Sequence, residues 1–141
     1  MKYEKGEIKV VVYDEQGNKA GEKTVKTAGK PAKLQLTADR STIAADGSDL
    51  AFITVSLTDK NGTLCPDADH SLEFKVTGAA TFNSVCNGDA TSLEVFTEPT
   101  MKLFHGQLVV VVQASTAPGK ATLTVRDKNT GIRATLPITV K

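Results

Sequence analysis

Residues 132–141 read IRATLPITVK, and apolar and polar side chains alternate along the whole stretch. A period of two predicts a β-strand with one buried face and one solvent-facing face. Pro137 falls among the solvent-facing positions, where it removes one hydrogen-bond donor from the ladder. We therefore expect this strand to lie at a sheet edge or to contain a bulge.

The same alternation predicts further strands, and no segment has the i, i+3, i+4, i+7 spacing of an amphipathic helix. Residues 108–112 form a continuous, mostly β-branched apolar run, which is typical of a central strand. The other predicted strands are centred on residues 34–36, 51–57, 72–76 and 121–125. The chain is thus predicted to be all-β, with almost no helix.

Three connecting segments begin with an Asp, at residues 14–18, 59–63 and 127–131. In each, the Asp is placed to accept backbone N–H groups ahead of it, and a Gly or Asn is available for a positive φ. Short strands separated by such turns are typical of a β-sandwich.

The chain is expected to divide near Ala28-Gly29-Lys30-Pro31. Before this point, Glu7–Tyr13 and Lys19–Lys26 predict one β-hairpin, and two strands alone are marginally stable in water. We interpret residues 1–30 as the C-terminal hairpin remnant of a preceding β domain plus a linker. Residues 31–141 fit one immunoglobulin-like β-sandwich.

Composition excludes several classes of protein. The 141 residues include 17 Lys+Arg and 16 Asp+Glu, so a net charge of +1 gives no reason to expect nucleic acid as a partner. The chain is too short for a (β/α)₈ barrel of about 250 residues. It has no apolar run of about 18 residues, so membrane insertion is not expected, and no signal-peptide pattern.

The two cysteines, Cys65 and Cys86, leave two alternatives open. A disulfide would close a loop of about 20 residues and contribute roughly 3 kcal/mol on the chain-entropy model. The other reading is two free thiols, one or both buried as small apolar groups. No CxxC pair or neighbouring His supports a zinc site or an activated thiolate.

An ordered set of short segments covers nearly all of residues 28–141. They are Ala28-Gly29-Lys30-Pro31-Ala32-Lys33-Leu34, Leu36-Thr37-Ala38-Asp39-Arg40, Ala45-Asp46-Gly47-Ser48-Asp49-Leu50, Asn87-Gly88-Asp89-Ala90-Thr91-Ser92 with Phe96, and Lys102-Leu103-Phe104-His105-Gly106. Together they resemble the C-terminal immunoglobulin-like (invasin-like) module of family 2 glycoside hydrolases of the β-galactosidase type. Residues 3–27 resemble the last strands of the domain that precedes this module. One position departs from the family, since Cys86 stands where an acidic residue is usual.

The resemblance implies a non-catalytic accessory or structural domain that supports domain packing or subunit contacts. In such enzymes the catalytic carboxylates lie on a central barrel domain, so no catalytic residue is carried over to this chain. Neither a cofactor nor a metal is implied, and the expected partners are other domains of the same parent chain. The parent would be exported to the periplasm or cell surface, which permits a Cys65–Cys86 bond without requiring one.

Candidate site residues are few. Asn87-Gly88-Asp89 predicts a turn, with contact to a neighbouring domain as the functional alternative. The carboxylate pairs Asp67/Asp69 and Glu94/Glu98 are interpreted as solvent-facing loop residues rather than a glycosidase pair or Ca²⁺ ligands. His70 and His105 are interpreted as surface or capping residues.

Two alternative functions remain, a carbohydrate-binding module and an immunoglobulin-like spacer of a surface adhesin. Sugar-binding modules often stack a sugar on exposed Trp or Tyr. This chain has no Trp, its two Tyr (Tyr3 and Tyr13) lie in the hairpin, and its five Phe are predicted to be core residues (Phe52, Phe74, Phe82, Phe96 and Phe104). The sequence therefore offers few aromatic residues on which a sugar could stack. Weak glycan binding would depend on hydrogen-bonding loops.

Overall fold

The computed structural model describes residues 4–141, in which every regular element is a β-strand; Tyr3 lies outside this range. Eleven strands follow one another along the chain. They are β1 (Glu7–Tyr13), β2 (Lys19–Lys26), β3 (Lys33–Ala38), β4 (Thr42–Ile43), β5 (Leu50–Thr58), β6 (Ser71–Gly78), β7 (Ala80–Cys86), β8 (Thr100–Lys102), β9 (Gln107–Ala114), β10 (Gly119–Asp127) and β11 (Arg133–Val140).

The strands form two facing sheets and a separate hairpin. One sheet has the order β4-β11-β10-β6-β8, the other has the order β3-β5-β9-β7, and β1 pairs with β2 alone. All pairs are antiparallel except β4 with β11. The predicted all-β sandwich preceded by a hairpin is confirmed.

The core consists of the inward-facing side chains of both sheets. On β5, Ile53, Val55 and Leu57 are fully buried, and Leu123 and Val125 of β10 are fully buried in the same cluster. The alternation read from the sequence is therefore the alternation of the two strand faces. The apolar run at 108–112 is central, as predicted, because β9 lies between β5 and β7.

Pro137 faces a locally open edge, although β11 itself lies between β4 and β10 and pairs with β10 without a bulge, so the expectation from the sequence holds only for this part of the strand. Thr139 and Lys141 donate backbone N–H groups toward β4, to Ser41 at 2.9 Å and Ile43 at 3.0 Å. Since N–H directions repeat every second residue, the nitrogen of Pro137 faces the same edge, beyond the end of the two-residue β4. The missing donor therefore leaves no ladder hydrogen bond unmade.

The Asp-led turns form as predicted. Asp59 Oδ1 accepts the N–H groups of Asn61 at 2.8 Å and Thr63 at 2.9 Å, and Gly62 takes a φ of 84°. Asp14 does the same for Gln16 and Asn18, and Asp127 for Asn129. Each carboxylate satisfies the donors of a tight turn and so fixes how two strands are joined.

Burial alone should decide the effect of truncating two chemically identical side chains. We expect Leu57→Ala, at a fully buried position, to lower the free energy of unfolding by about 2–5 kcal/mol. Leu93→Ala is the matched control, because Leu93 is 98% exposed and its truncation should change stability by less than about 0.5 kcal/mol. Urea unfolding of both variants tests this, and equal losses would contradict the fold.

Candidate functional site

The hairpin presents an uncovered apolar face. The pairing register places Ile8 opposite Val25, with Val10 and Val12 at alternate positions on the same side. These four side chains are 72%, 62%, 56% and 56% exposed, respectively. Lys23, opposite Val10, is the charged residue on this side. An exposed group of large apolar side chains marks a surface that contacts another body.

The opposite face of the hairpin is charged. Lys9 and Glu22 form an ion pair at 2.8 Å, and Lys26 and Glu7 form another at 3.1 Å. Hydrogen bonds from Lys19 and then Lys9 lower the pKa of Glu22. The hairpin therefore has one face suited to water and one suited to a partner.

The linker between hairpin and sandwich is held in place. Asp59 Oδ2 accepts the Gly29 N–H at 2.8 Å, and Ala32 donates to the Thr58 carbonyl at 2.8 Å. The hydrogen bond from Gly29, followed by that from Thr63, lowers the pKa of Asp59. A turn carboxylate of the sandwich thus also anchors the segment that leads from the hairpin.

A groove of about 970 Å³ lies between the hairpin end, the linker and residues 63–70. Asp67 and Asp69 both line it, but no third acidic, His or Cys side chain joins them in a metal-binding arrangement among residues 4–141. Glu94 of the second carboxylate pair accepts the Lys102 N–H at 3.1 Å, while Glu98 is exposed. Neither pair is built into an enclosed cleft within that range.

Asn87-Gly88-Asp89 forms a turn, as the sequence predicts. Asn87 Oδ1 accepts the Asp89 N–H at 3.0 Å, and its Nδ2 donates to the Lys102 carbonyl at 3.1 Å. Gly88 has a φ of 80°. The role of this turn in contacting a neighbouring domain stays a prediction.

The loop that follows this turn carries an apolar patch that the sequence interpretation missed. Leu93 is 98% exposed, Val95 58% and Phe96 49%. The available signal was three apolar residues within four positions of a segment that has no strand alternation. We call residues 93–96 the apolar loop.

His70 contacts the carboxylate that begins the 127–131 turn. Its Nδ1 lies 2.8 Å from Oδ2 of Asp127, which is fully buried. Burial favours a higher pKa for Asp127, but hydrogen bonds from Thr130, His70 and Asn129 outweigh it, and the pKa is lowered. His105 has a φ of 50° and packs its ring against Phe104.

Of the two alternatives for Cys65 and Cys86, the structure contains the free thiols and not the disulfide. Cys65 is buried, and its Sγ lies 3.7 Å from the Gly29 carbonyl. Cys86 is exposed at the end of β7, where it pairs with Val109. The pKa of the Cys65 thiol is raised by burial and by the charges of Asp59 and Asp67.

The prediction that all five Phe are core residues is wrong for three of them. Phe74 is buried and Phe82 packs against the core. Phe52, Phe96 and Phe104 are 45%, 49% and 38% exposed. Phe52 alternates with buried Ala51 and Ile53, so the period of two directs it outward.

Comparison with known proteins defines the class. The model of glycoside hydrolase family 2 C-terminal domain 5 matches residues 34–133, and the chain belongs to this family.

Among residues 4–141 there is no helix long and apolar enough to cross a membrane.

Individual relatives agree with this assignment. Beta-galactosidase BoGH2A of Bacteroides ovatus is 46% identical over 124 residues, which are 88% of this chain and 14% of that protein. A beta-galactosidase of Thermoanaerobacter pseudethanolicus is 29% identical over 76% of this chain and 13% of its own length. A solved glycosyl hydrolase family 2 member from Bacteroides cellulosilyticus matches all of this chain and 18% of its own, with a TM-score of 0.93 and 34% identity. The chain thus spans about one seventh of these curated relatives.

Acid should weaken the Asp127 turn. Because the pKa of folded Asp127 lies below its ordinary value of 3.8, its stabilising effect is complete above that pH and is lost as the pH falls through the lowered pKa. Asp127→Asn should cost about 1–3 kcal/mol at neutral pH and show a smaller further loss in acid. Urea unfolding between about pH 7 and 2.5 measures both.

The control for this experiment is Asp67→Asn, because the Asp67 carboxylate is exposed and makes no hydrogen bond within residues 4–141. It should keep the wild-type stability and acid dependence. The same flattening of the pH dependence in both variants would contradict the role of the Asp127 turn.

The sequence predicts that deleting residues 1–30 leaves the melting of the sandwich nearly unchanged. The structure limits this expectation to the deletion of residues 1–27. A deletion that includes Gly29 also removes its N–H hydrogen bond to Asp59 of the sandwich. Calorimetry should give the same melting temperature for the chain without residues 1–27 and a lower one without 1–30. A large loss from the shorter deletion would place the domain boundary elsewhere.

Proposed function

We propose that this chain is a non-catalytic accessory domain of a family 2 glycoside hydrolase of the β-galactosidase type, and that it packs against other domains of its parent chain. The exposed apolar face of the hairpin carries the proposal. A partner that covers Ile8, Val10, Val12 and Val25 removes their apolar surface from water. Each Å² of apolar surface removed stabilises the contact by about 25 cal/mol. The charged opposite face keeps its ion pairs in solvent.

The sandwich itself supports a structural role rather than catalysis. Its inward-facing side chains fill the space between the sheets, and the carboxylate pairs singled out from the sequence lie on loops. A glycosidase needs two carboxyl groups about 5–9 Å apart across a sugar-shaped cleft. Family membership also favours this role over that of an adhesin spacer.

Export of the parent enzyme to the periplasm or cell surface is part of the same proposal, as the family resemblance implies. Fractionation of the source cells with an antibody against residues 31–141 would test it. Recovery of the enzyme in the cytoplasmic fraction alone would contradict export.

The apolar face can be tested in the whole parent enzyme with two neighbouring substitutions. Val10→Lys places a charge on the apolar face, and we expect the enzyme's melting temperature to fall by about 5 °C. Val11→Lys is the matched control, since Val11 lies on the opposite face, opposite Glu22. The melting temperature of each variant is measured by thermal unfolding, with galactoside hydrolysis as the readout of folded enzyme. Equal effects of the two substitutions would contradict packing through this face.

The isolated chain should not hydrolyse a chromogenic galactoside. The expected result is the rate of the buffer blank at any protein concentration, because neither the Asp67/Asp69 nor the Glu94/Glu98 pair lies in an enclosed cleft within residues 4–141. Turnover that scales with protein concentration and is abolished by Glu94→Gln and Glu98→Gln together would overturn the non-catalytic assignment.

A further inference from the structure

A second, smaller groove lies on the sandwich beside the Asn87-Gly88-Asp89 turn. It has a volume of about 330 Å³, at the lower end of the range typical of small-molecule sites. The residues that line it are Asp69, Asn87, Asp89, Ser92, Glu94, Lys102, Leu103 and Phe104. We call it the Phe104 groove.

Phe104 gives this groove an aromatic wall. The Phe104 side chain is 38% exposed, next to the buried Leu103. The His105 imidazole packs against it at 4.2 Å between centroids, with the two rings tilted by 59°. This contact orients the ring. The face of an aromatic ring carries partial negative charge and can receive the C–H groups of a sugar ring.

The floor of the groove is held rigid by hydrogen bonds between the loop and β8. Glu94 accepts the Lys102 N–H through both of its oxygens, at 3.1 and 3.3 Å, while Asn87 Nδ2 donates to the Lys102 carbonyl. The backbone of Lys102 is thus bonded from both ends of the 87–94 segment. A preformed groove loses less conformational entropy when a ligand binds.

Polar atoms remain available at the rim. Asp89 uses Oδ1 for the N–H and hydroxyl of Thr91, and within residues 4–141 its Oδ2 accepts no hydrogen bond. In the same part of the chain, neither the Asp69 carboxylate nor the Lys102 ammonium group has a side-chain partner. Two acceptors and one donor therefore lie around one exposed aromatic ring.

We propose that the Phe104 groove binds one neutral pyranose unit, with its C–H face on Phe104 and its hydroxyl groups on Asp69, Asp89 and Lys102. The lining residues include three acidic residues and one lysine, so a sugar that carries a carboxylate is repelled. The ligand class is accordingly an uncharged hexopyranoside rather than a uronic acid. This site is separate from the hairpin face, but it includes Asn87 and Asp89 of the turn for which contact with a neighbouring domain stays a prediction.

The experiment is a titration of the ¹⁵N-labelled chain with methyl β-galactopyranoside, methyl β-glucopyranoside and methyl β-glucuronide, followed by amide chemical shifts. At least one neutral glycoside should give saturable shifts centred on residues 87–94 and 102–105, with a dissociation constant of about millimolar. The glucuronide should bind at least about tenfold more weakly.

Two variants complete the test. Phe104→Ala should raise the dissociation constant about tenfold, whereas Phe52→Ala, at another exposed Phe outside the groove, should leave it unchanged. Asp69→Asn, which breaks no hydrogen bond of the fold within residues 4–141, weakens binding without affecting folding. Flat titrations with both neutral glycosides, shifts that map elsewhere, or equal binding of the glucuronide would overturn the proposal.

Discussion

The apolar layer between the two sheets is the contact on which the rest of the structure depends. Side chains such as Ile53 and Val55 from one sheet and Leu123 and Val125 from the other share one fully buried cluster. Because close-packed interiors leave few voids larger than a water molecule, binding and recognition are confined to loops, edges and outer faces. The hairpin face, the apolar loop and the Phe104 groove all lie outside this layer.

The sequence was sufficient for those parts of the fold that depend on local chemistry. Strand faces follow from a period of two, and the turns at Asp14, Asp59 and Asp127 follow from a carboxylate that accepts N–H groups two or more residues ahead. The position of Pro137 at a locally open edge follows from its missing donor. Each of these inferences needs only neighbouring residues, which a single sequence supplies.

Features that depend on contacts between distant residues were not predictable in the same way. Whether Cys65 meets Cys86, whether His70 reaches Asp127, and how Gly29 reaches Asp59 are decided by which loops the topology places side by side. Phe104 was misplaced because it lies in a turn next to His105, where alternation gives no direction. Phe52 was misplaced although alternation does give one, because aromatic residues were assigned to the core by type.

The hydrogen bond from Gly29 to Asp59 has a geometric consequence for a larger enzyme. A connecting segment that is hydrogen-bonded to a turn of the following sandwich is held in a defined direction, unlike a flexible linker. The angle between the hairpin and the sandwich is then set within residues 28–63, since Ala32 also donates to Thr58. When the hairpin packs against a neighbouring domain, the Phe104 groove would therefore take one defined orientation relative to that domain rather than many.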